Sequence, residues 1–356
     1  MRRRVALAGL IGALLAACAP RVQTRATTPP TFTGPHFTDD ALISFDGACL
    51  PMKVWPATGS DGMAVEPWAV IVALHGMNDH HAAFTLPGPY LASHGITVYA
   101  YDQRGFGQAP HRGVWGGTAL MTQDLRAAVA LARAAHPYAV VAVLGESMGG
   151  AVAIAAFASA DPPAADRVIL ASPAVWGWDA QPIPNRIALW LTAHIAPSSR
   201  LEPPRLITDH IQASDNIEEL RRMGRDPGMI FTTRTDTIYG LVNLMQQARE
   251  EIGQVKAPML DLYGAHDQII PKNAAFYAAR RLSPTARSAY YAHGYHLLTR
   301  DLGRQVVLDD LIAFIRDPKA PLPSGAPPIP HGRQVRSRTG VTGPCPKGAI
   351  SLCPRA

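Results

Sequence analysis

The chain has 356 residues, 47% of them hydrophobic and 17% charged, so it can bury a sizeable core as one large α/β domain with an insertion or as two domains. The formal net charge of +6 invites a nucleic-acid partner, but the positive charge sits at the two ends. Three basic residues lie within the first four positions and six more (Lys319, Arg333, Arg336, Arg338, Lys347 and Arg355) follow Asp317, leaving 24 basic against 27 acidic residues in the body, which excludes a basic groove.

The N-terminus reads "MRRRVALAGLIGALLAAC". Three arginines precede an apolar stretch from Val5 to Ala17, too short for the about 20 residues that span a bilayer, and residues 1–17 read as a signal peptide. Its end, Leu15-Ala16-Ala17-Cys18, resembles the lipobox of bacterial lipoproteins, in which small residues serve the signal peptidase and the cysteine is acylated. That resemblance implies lipidation at Cys18, and Ala19 after it implies the outer membrane. The expected location is therefore the bacterial cell envelope, facing the periplasm, with the membrane as a partner through the N-terminal lipid. Ordinary secretion and an uncleaved anchor compete with this reading, and Arg3-Arg4 permits twin-arginine export. Residues 18–40 are expected to form the lipidated N-terminus and a flexible tether, rich in Thr and Pro from Arg21 to Pro35. Of the other cysteines, Cys345 and Cys353 could close a short loop and leave Cys49 beside a strand, but the pairing stays open.

Strand-like runs follow at Ala41–Phe45, Leu50–Trp55, Trp68–Leu74 and Thr97–Tyr101. Helix and strand then alternate: Thr122–Ala135 helical, Ala139–Leu144 extended, Gly149–Ala160 helical, Arg167–Ala171 extended. This rhythm predicts a mostly parallel central sheet with helices on both faces. It breaks between Pro173 and about Lys256, where prolines separate short helical pieces such as Asn185–Ile195, so residues 173–256 are expected to form a cap. Strands resume at Met259–Tyr263 and Ser288–Tyr291, and a helix at Gly303–Arg316 closes a domain running from 41 to 316. The tail, 317–356, holds nine prolines in the 39 residues after Asp317 and is expected to be disordered.

One serine stands out in "VLGESMGGAV", between a buried-strand pattern and a small-residue helix. Gly145 and Gly149 flank Ser147 as in the G-x-S-x-G elbow, which lifts a hydroxyl above a sheet edge. A tight turn that happens to contain serine is the alternative until a base and an acid are found. Chain order demands an acid and then a histidine on later strand ends. Asp267 in "GAHDQIIP" and His296 in "AHGYHLL" meet the demand. His296 is pinned by Leu297-Leu298 and reads as the base, whereas His293 reads as a surface or bracing residue. Asp261 lies inside a strand and Asp301 follows the base, so Asp267 is the better acid. Oxyanion donors are expected from the backbone of Met148 and, in "LHGMNDHH", of Met77. His75, His80 and His81 lack a ligand pattern and read as loop structure, with no metal or cofactor expected.

"LHGMNDH", "YDQRGFGQAPHRG", "GESMGG", "YGAHDQIIP" and "GYHLL" occur in the order and context of the monoacylglycerol lipase and lysophospholipase branch of the α/β hydrolases, which the chain resembles from about Ala41 to Arg316. The resemblance implies an α/β-hydrolase fold with a helical cap and a serine carboxylic ester hydrolase cleaving a monoacylated lipid. It implies Ser147, Asp267 and His296 as catalytic residues and Met77 and Met148 as the oxyanion hole. Asp102 and Arg104 take structural roles. Glu146 stands in place of the histidine common before the nucleophile and is expected to point away from the reaction. Trp176, Trp178, Leu189, Trp190, Leu191 and Ile195 are expected to give the cap an apolar underside suited to an acyl chain. Two other readings compete: a peptidase of the proline-aminopeptidase kind, for which Glu218 and Glu219 look like an exposed helix face, and a lipid-anchored binding protein without activity.

Overall fold

The computed structural model describes residues 19–202 and 211–330. The apolar stretch before Cys18, Cys18 itself, Cys345, Cys353 and the tail beyond 330 lie outside the described residues, as do the expectations that rest on them. Cys49 is a free, exposed thiol at the start of a strand.

The strands are β1 (His36–Phe37), β2 (Ala41–Ile43), β3 (Cys49–Trp55), β4 (Ala69–Leu74), β5 (Ile96–Tyr101), β6 (Val140–Glu146), β7 (Arg167–Ala171), β8 (Arg200–Leu201), β9 (Thr233–Arg234), β10 (Met259–Gly264) and β11 (Arg287–Tyr291). The helices are α1 (Pro87–Ser93), α2 (Thr118–Ala135), α3 (Met148–Phe157), α4 (Ile183–Ile195), α5 (Ile217–Met223), α6 (Thr235–Glu251), α7 (Lys272–Ala279) and α8 (Arg304–Arg316). One sheet has the order β1-β2-β3-β5-β4-β6-β7-β10-β11. From β5 to β11 every neighbouring pair is parallel, and β1, β2 and β3 join antiparallel at one side.

Strands buried on both faces need continuous apolar runs, and "AVIVAL" of β4 is one. Successive side chains turn to opposite faces. Val70, Val72 and Leu74 meet α2, α3 and α7 in one core, whereas Ala69, Ile71 and Ala73 join Leu91 of α1 and Leu308, Leu311 and Ile315 of α8 in the other. The expected layering is therefore found.

Three boundaries differ from expectation. First, α6 is not part of a separate cap. Val242, Leu244, Met245 and Ala248 bury against the same core as α3, so this helix covers the sheet and the excursion above it ends near Arg234. Second, the Thr/Pro-rich tether lies along the domain: Gln23 N–H donates to Trp115 O at 2.9 Å and Ala26 N–H to Asp46 Oδ2 at 2.8 Å. Third, the tail is ordered as far as Pro330. Proline lacks an N–H but keeps its carbonyl. Pro327 O accepts from Tyr290 N–H at 2.7 Å and Pro318 O from Arg287 Nη1 at 2.9 Å, while Leu322 and Ile329 bury their side chains. The segment thereby covers β11, an edge strand that would otherwise expose unpaired groups.

Candidate active site

The sharp turn at Ser147 follows from packing at β6 and α3. Ser147 sits at φ 52°, ψ −113°, a left-handed conformation costly for a residue with a Cβ, by about 1–3 kcal/mol. Its neighbours make the turn sterically possible. A Cβ at Gly145 would stand 2.5 Å from Gly149 O, and one at Gly149 would stand 2.3 Å from Leu74 O. Ser147 N–H donates to Ala171 O at 2.9 Å and Ser147 O accepts from Ala174 N–H at 2.9 Å, so the end of β7 and the segment that follows it hold the turn. Met148 opens α3. The first N–H groups of a helix have no intrahelical acceptor and carry the positive end of its dipole, which suits an anion beside Ser147.

The loop after β4 lies against the elbow: a Cβ at Gly76 would stand 3.4 Å from Ser147 Cβ. Next along the chain, Met77 packs partly buried on the core. His75 fixes the loop from beneath. Its Nε2 accepts from Gln103 N–H at 2.9 Å, so Nδ1 carries the hydrogen and donates to Gly76 O at 2.8 Å. Burial lowers its pKa, against the raising effect of Asp102 and Asp79, and keeps this imidazole neutral.

Asp267 and His296 are brought into contact. Asp267 follows β10, and its Oδ1 accepts from Ile269 and Ile270 N–H at 2.8 and 2.9 Å, which aims Oδ2 at His296. His296 Nδ1–H donates to that oxygen at 2.8 Å, leaving Nε2 as the basic nitrogen of the neutral ring. Burial disfavours the imidazolium, but the charge of Asp267 and this hydrogen bond outweigh it and raise the His296 pKa above 6.5. His293 is exposed, as expected. Burial alone pushes the carboxyl of Asp261 up to about 8, so it is neutral at pH 7, and Asp301 is committed to Ser214 and Tyr295 N–H. Asp267, and neither of these two, bonds to His296.

Sequence reasoning missed a set of buried charges between these loops. Glu146 turns inward and is only 1% exposed. Its carboxylate is bonded to Arg300 Nη2 and accepts from Thr299 Oγ1 at 3.2 Å. Arg300 also donates through Nη1 to Asp79 Oδ2 at 2.8 Å. No spacing rule joins positions 79, 146, 299 and 300; the one available signal was the acid before Ser147. Asp102 and Arg104 hold structural roles as expected. Arg104 pairs with Asp46 and Asp124, and Asp102 accepts from His81 and Gln108. His80, His81 and Asp102 present atoms within 4.8 Å of one another, and protein partners engage them, with His80 Nε2 3.1 Å from Asp226 Oδ1.

The apolar cap residues divide. Trp176, Trp178 and Leu189 turn toward the core, but Trp190, Leu191 and Ile195 are 50%, 42% and 69% exposed and form no underside. With Ile183 and Ile187 they make an outward stripe on α4, at the mouth of an open cavity of about 740 Å³ bounded by Trp178 and Tyr239. Glu219 is buried and paired with Arg222 at 2.7 Å, contrary to the expected exposed face, while Glu218 is exposed.

Residues 65–303, about two thirds of the chain, match the family model described as serine aminopeptidase, S33. A monoacylglycerol lipase of Mycolicibacterium smegmatis is 26% identical over 264 residues, covering 70% of this chain and 89% of that protein. A monoglyceride lipase of Rattus norvegicus is 26% identical over 267 residues, covering 73% and 84%. Among solved structures, a soluble variant of the Saccharomyces cerevisiae monoglyceride lipase aligns with a TM-score of 0.63 at 18% identity, covering 82% of this chain and 98% of that one. The Paleococcus ferrophilus monoacylglycerol lipase aligns at 0.59 and 20% identity, covering 75% and 98%. These likenesses show the α/β-hydrolase fold.

Proposed function

Because the chain belongs to the serine aminopeptidase S33 family of α/β hydrolases, we propose that it is a serine ester hydrolase acting on a monoacylated lipid such as a monoacylglycerol or lysophospholipid. Ser147 is the nucleophile, His296 the general base and Asp267 the acid that orients it. His296 Nε2 takes the hydroxyl proton as Ser147 Oγ attacks the ester carbonyl. The N–H groups of Met77 and Met148 receive the oxyanion, where loss of one donor costs about 100- to 1,000-fold in rate. Collapse returns the proton to the departing alcohol, and water then cleaves the acyl-enzyme by the same path.

The observation that carries this reading is the 2.8 Å bond from His296 Nδ1 to Asp267 on a loop tied to the elbow through Glu146. An ester rather than a peptide substrate is supported by the names of the curated relatives and by Glu219, whose carboxylate is already paired and not free to grip an amine. The test is a panel of monoacylglycerols, lysophospholipids, simple esters and a prolyl anilide. Hydrolysis of the lipid esters, abolished in Ser147→Ala, is the expected result; anilide cleavage alone would favour the peptidase.

Membrane attachment through an acylated Cys18, at the bacterial outer membrane, belongs to the same proposal. Among the described residues no helix is long and apolar enough to cross a membrane. Support comes from where Arg21 packs. Arg21 N–H donates to Asp236 Oδ2 at 3.3 Å, and Asp236 N–H donates to Pro197 O at 3.1 Å, two residues beyond α4. Cys18 is thus three residues from a point beside the exposed stripe of Ile183, Ile187, Trp190, Leu191 and Ile195, whose spacing keeps it on one helix face. An anchor leaving there would lay that stripe on the lipid surface.

A further inference from the structure

Glu146, Arg300 and Asp79 are separate in the chain and meet in the interior. Glu146 is the last residue of β6 and adjoins the nucleophile. Asp79 lies two residues beyond Met77 on the loop that faces Ser147. Arg300 lies four residues after His296 and is among the largest fully buried side chains of the protein. Its guanidinium spans the other two, Nη2 on Glu146 Oε1 and Nη1 on Asp79 Oδ2 at 2.8 Å, with the Glu219 carboxylate of α5 at 3.8 Å. Asn216 Nδ2 donates to the backbone O of Arg300 at 2.9 Å, and Thr299 Oγ1 holds the second oxygen of Glu146. One planar cation therefore touches the elbow and the oxyanion loop while its own backbone belongs to the histidine loop.

We propose that Arg300 is a positioning residue, a clamp that fixes the separation of Ser147, Met77 and His296 by bridging Glu146 and Asp79. The inference rests on the assignment of Ser147, His296 and Asp267 above. A buried ion set of this kind does little for net stability, because desolvation offsets most of the attraction, but it specifies geometry through directed hydrogen bonds. Three loops that each end on a different strand need such a device: small displacements of reacting groups, on the order of 1 Å, lower rates about 100-fold. A lysine retains the charge but carries its three donors on one nitrogen, in place of a rigid planar fork.

The test compares wild type, Arg300→Lys and the charge-free triple variant Asp79→Asn/Glu146→Gln/Arg300→Met, the last included because a single Arg300→Met leaves two carboxylates buried without a partner. Fluorophosphonate labelling of Ser147 gives a readout independent of substrate, and ester hydrolysis gives kcat and KM separately. In both folded variants the expected result is a labelling rate and kcat lower by about 10- to 100-fold with KM nearly unchanged. The pH profile separates placement from charge. Around His296 the charged groups are Asp267, Glu146 and Arg300, so Arg300→Lys lowers the plateau without moving the acid limb. Folded variants that label and turn over like wild type overturn the clamp, as does a loss wholly accounted for by a smaller folded fraction. Failure of wild type itself to label at Ser147 overturns the site assignment, and the clamp with it; labelling without lipid-ester turnover refutes only the substrate.

Discussion

Adding one methyl group at Gly149 tests the elbow directly. An alanine Cβ there would stand 2.3 Å from Leu74 O, where real Cβ contacts stay beyond 3.0 Å, so β4 and the start of α3 must separate by at least about 0.7 Å. Neither side is a flexible side chain: one is the last carbonyl of β4, the other the first turn of α3. Leu74 leads in three residues to Met77, and Gly149 directly follows Met148, so the displacement falls between the two proposed oxyanion donors. Misplacement on this scale costs about 10- to 100-fold in rate. Gly149→Ala is therefore expected to lower kcat for p-nitrophenyl ester hydrolysis by that factor, with KM little changed. Gly303→Ala, where nothing lies within 4 Å of the added carbon, is the matched control and should behave as wild type. Circular dichroism and thermal unfolding establish that both variants are folded. A folded Gly149→Ala with wild-type kcat would refute the steric argument.

Four further outcomes follow from the same geometry. Asp267→Asn removes the acceptor that fixes the His296 tautomer and should lower kcat by about 10,000-fold without unfolding the protein, measured by burst and steady-state ester hydrolysis. The base must be neutral to act, and its pKa is raised, so the acid limb of kcat/KM should have its midpoint above 6.5. Asp261 has a folded pKa of about 8, far above that of an unfolded carboxyl, so it contributes stability that is lost as pH rises from the ordinary carboxylate range through 8; thermal unfolding against pH should show this decline, absent in Asp261→Asn. Ile183→Asp with Ile187→Asp should weaken sedimentation of the Cys18-free soluble chain with anionic phospholipid vesicles while leaving hydrolysis of a short soluble ester intact.

The parallel core was legible in the sequence because its strands are uninterrupted apolar runs and its elbow glycines are forced by contact with backbone. The meeting of Asp267 with His296 was legible because each lies a few residues past the end of a strand, β10 or β11, where chain order leads one to look for an acid and a base. The rest depended on tertiary context. α6 carries a polar outer face and follows a proline-broken segment, so its packing on α3 has no local signature. The ordered run to Pro330 is invisible to composition, since prolines that donate nothing still serve as acceptors for β11. Glu146 was noticed as a departure, but its direction was fixed by Arg300, 154 positions away.

The most direct measurement is the site and stoichiometry of fluorophosphonate modification, mapped by peptide mass spectrometry in wild type and in His296→Ala. One adduct per chain, on the peptide that contains Ser147 and lost in the His296 variant, is the expected result. An adduct elsewhere, or equal labelling of Ser147 without the imidazole, would contradict an alcohol activated by His296.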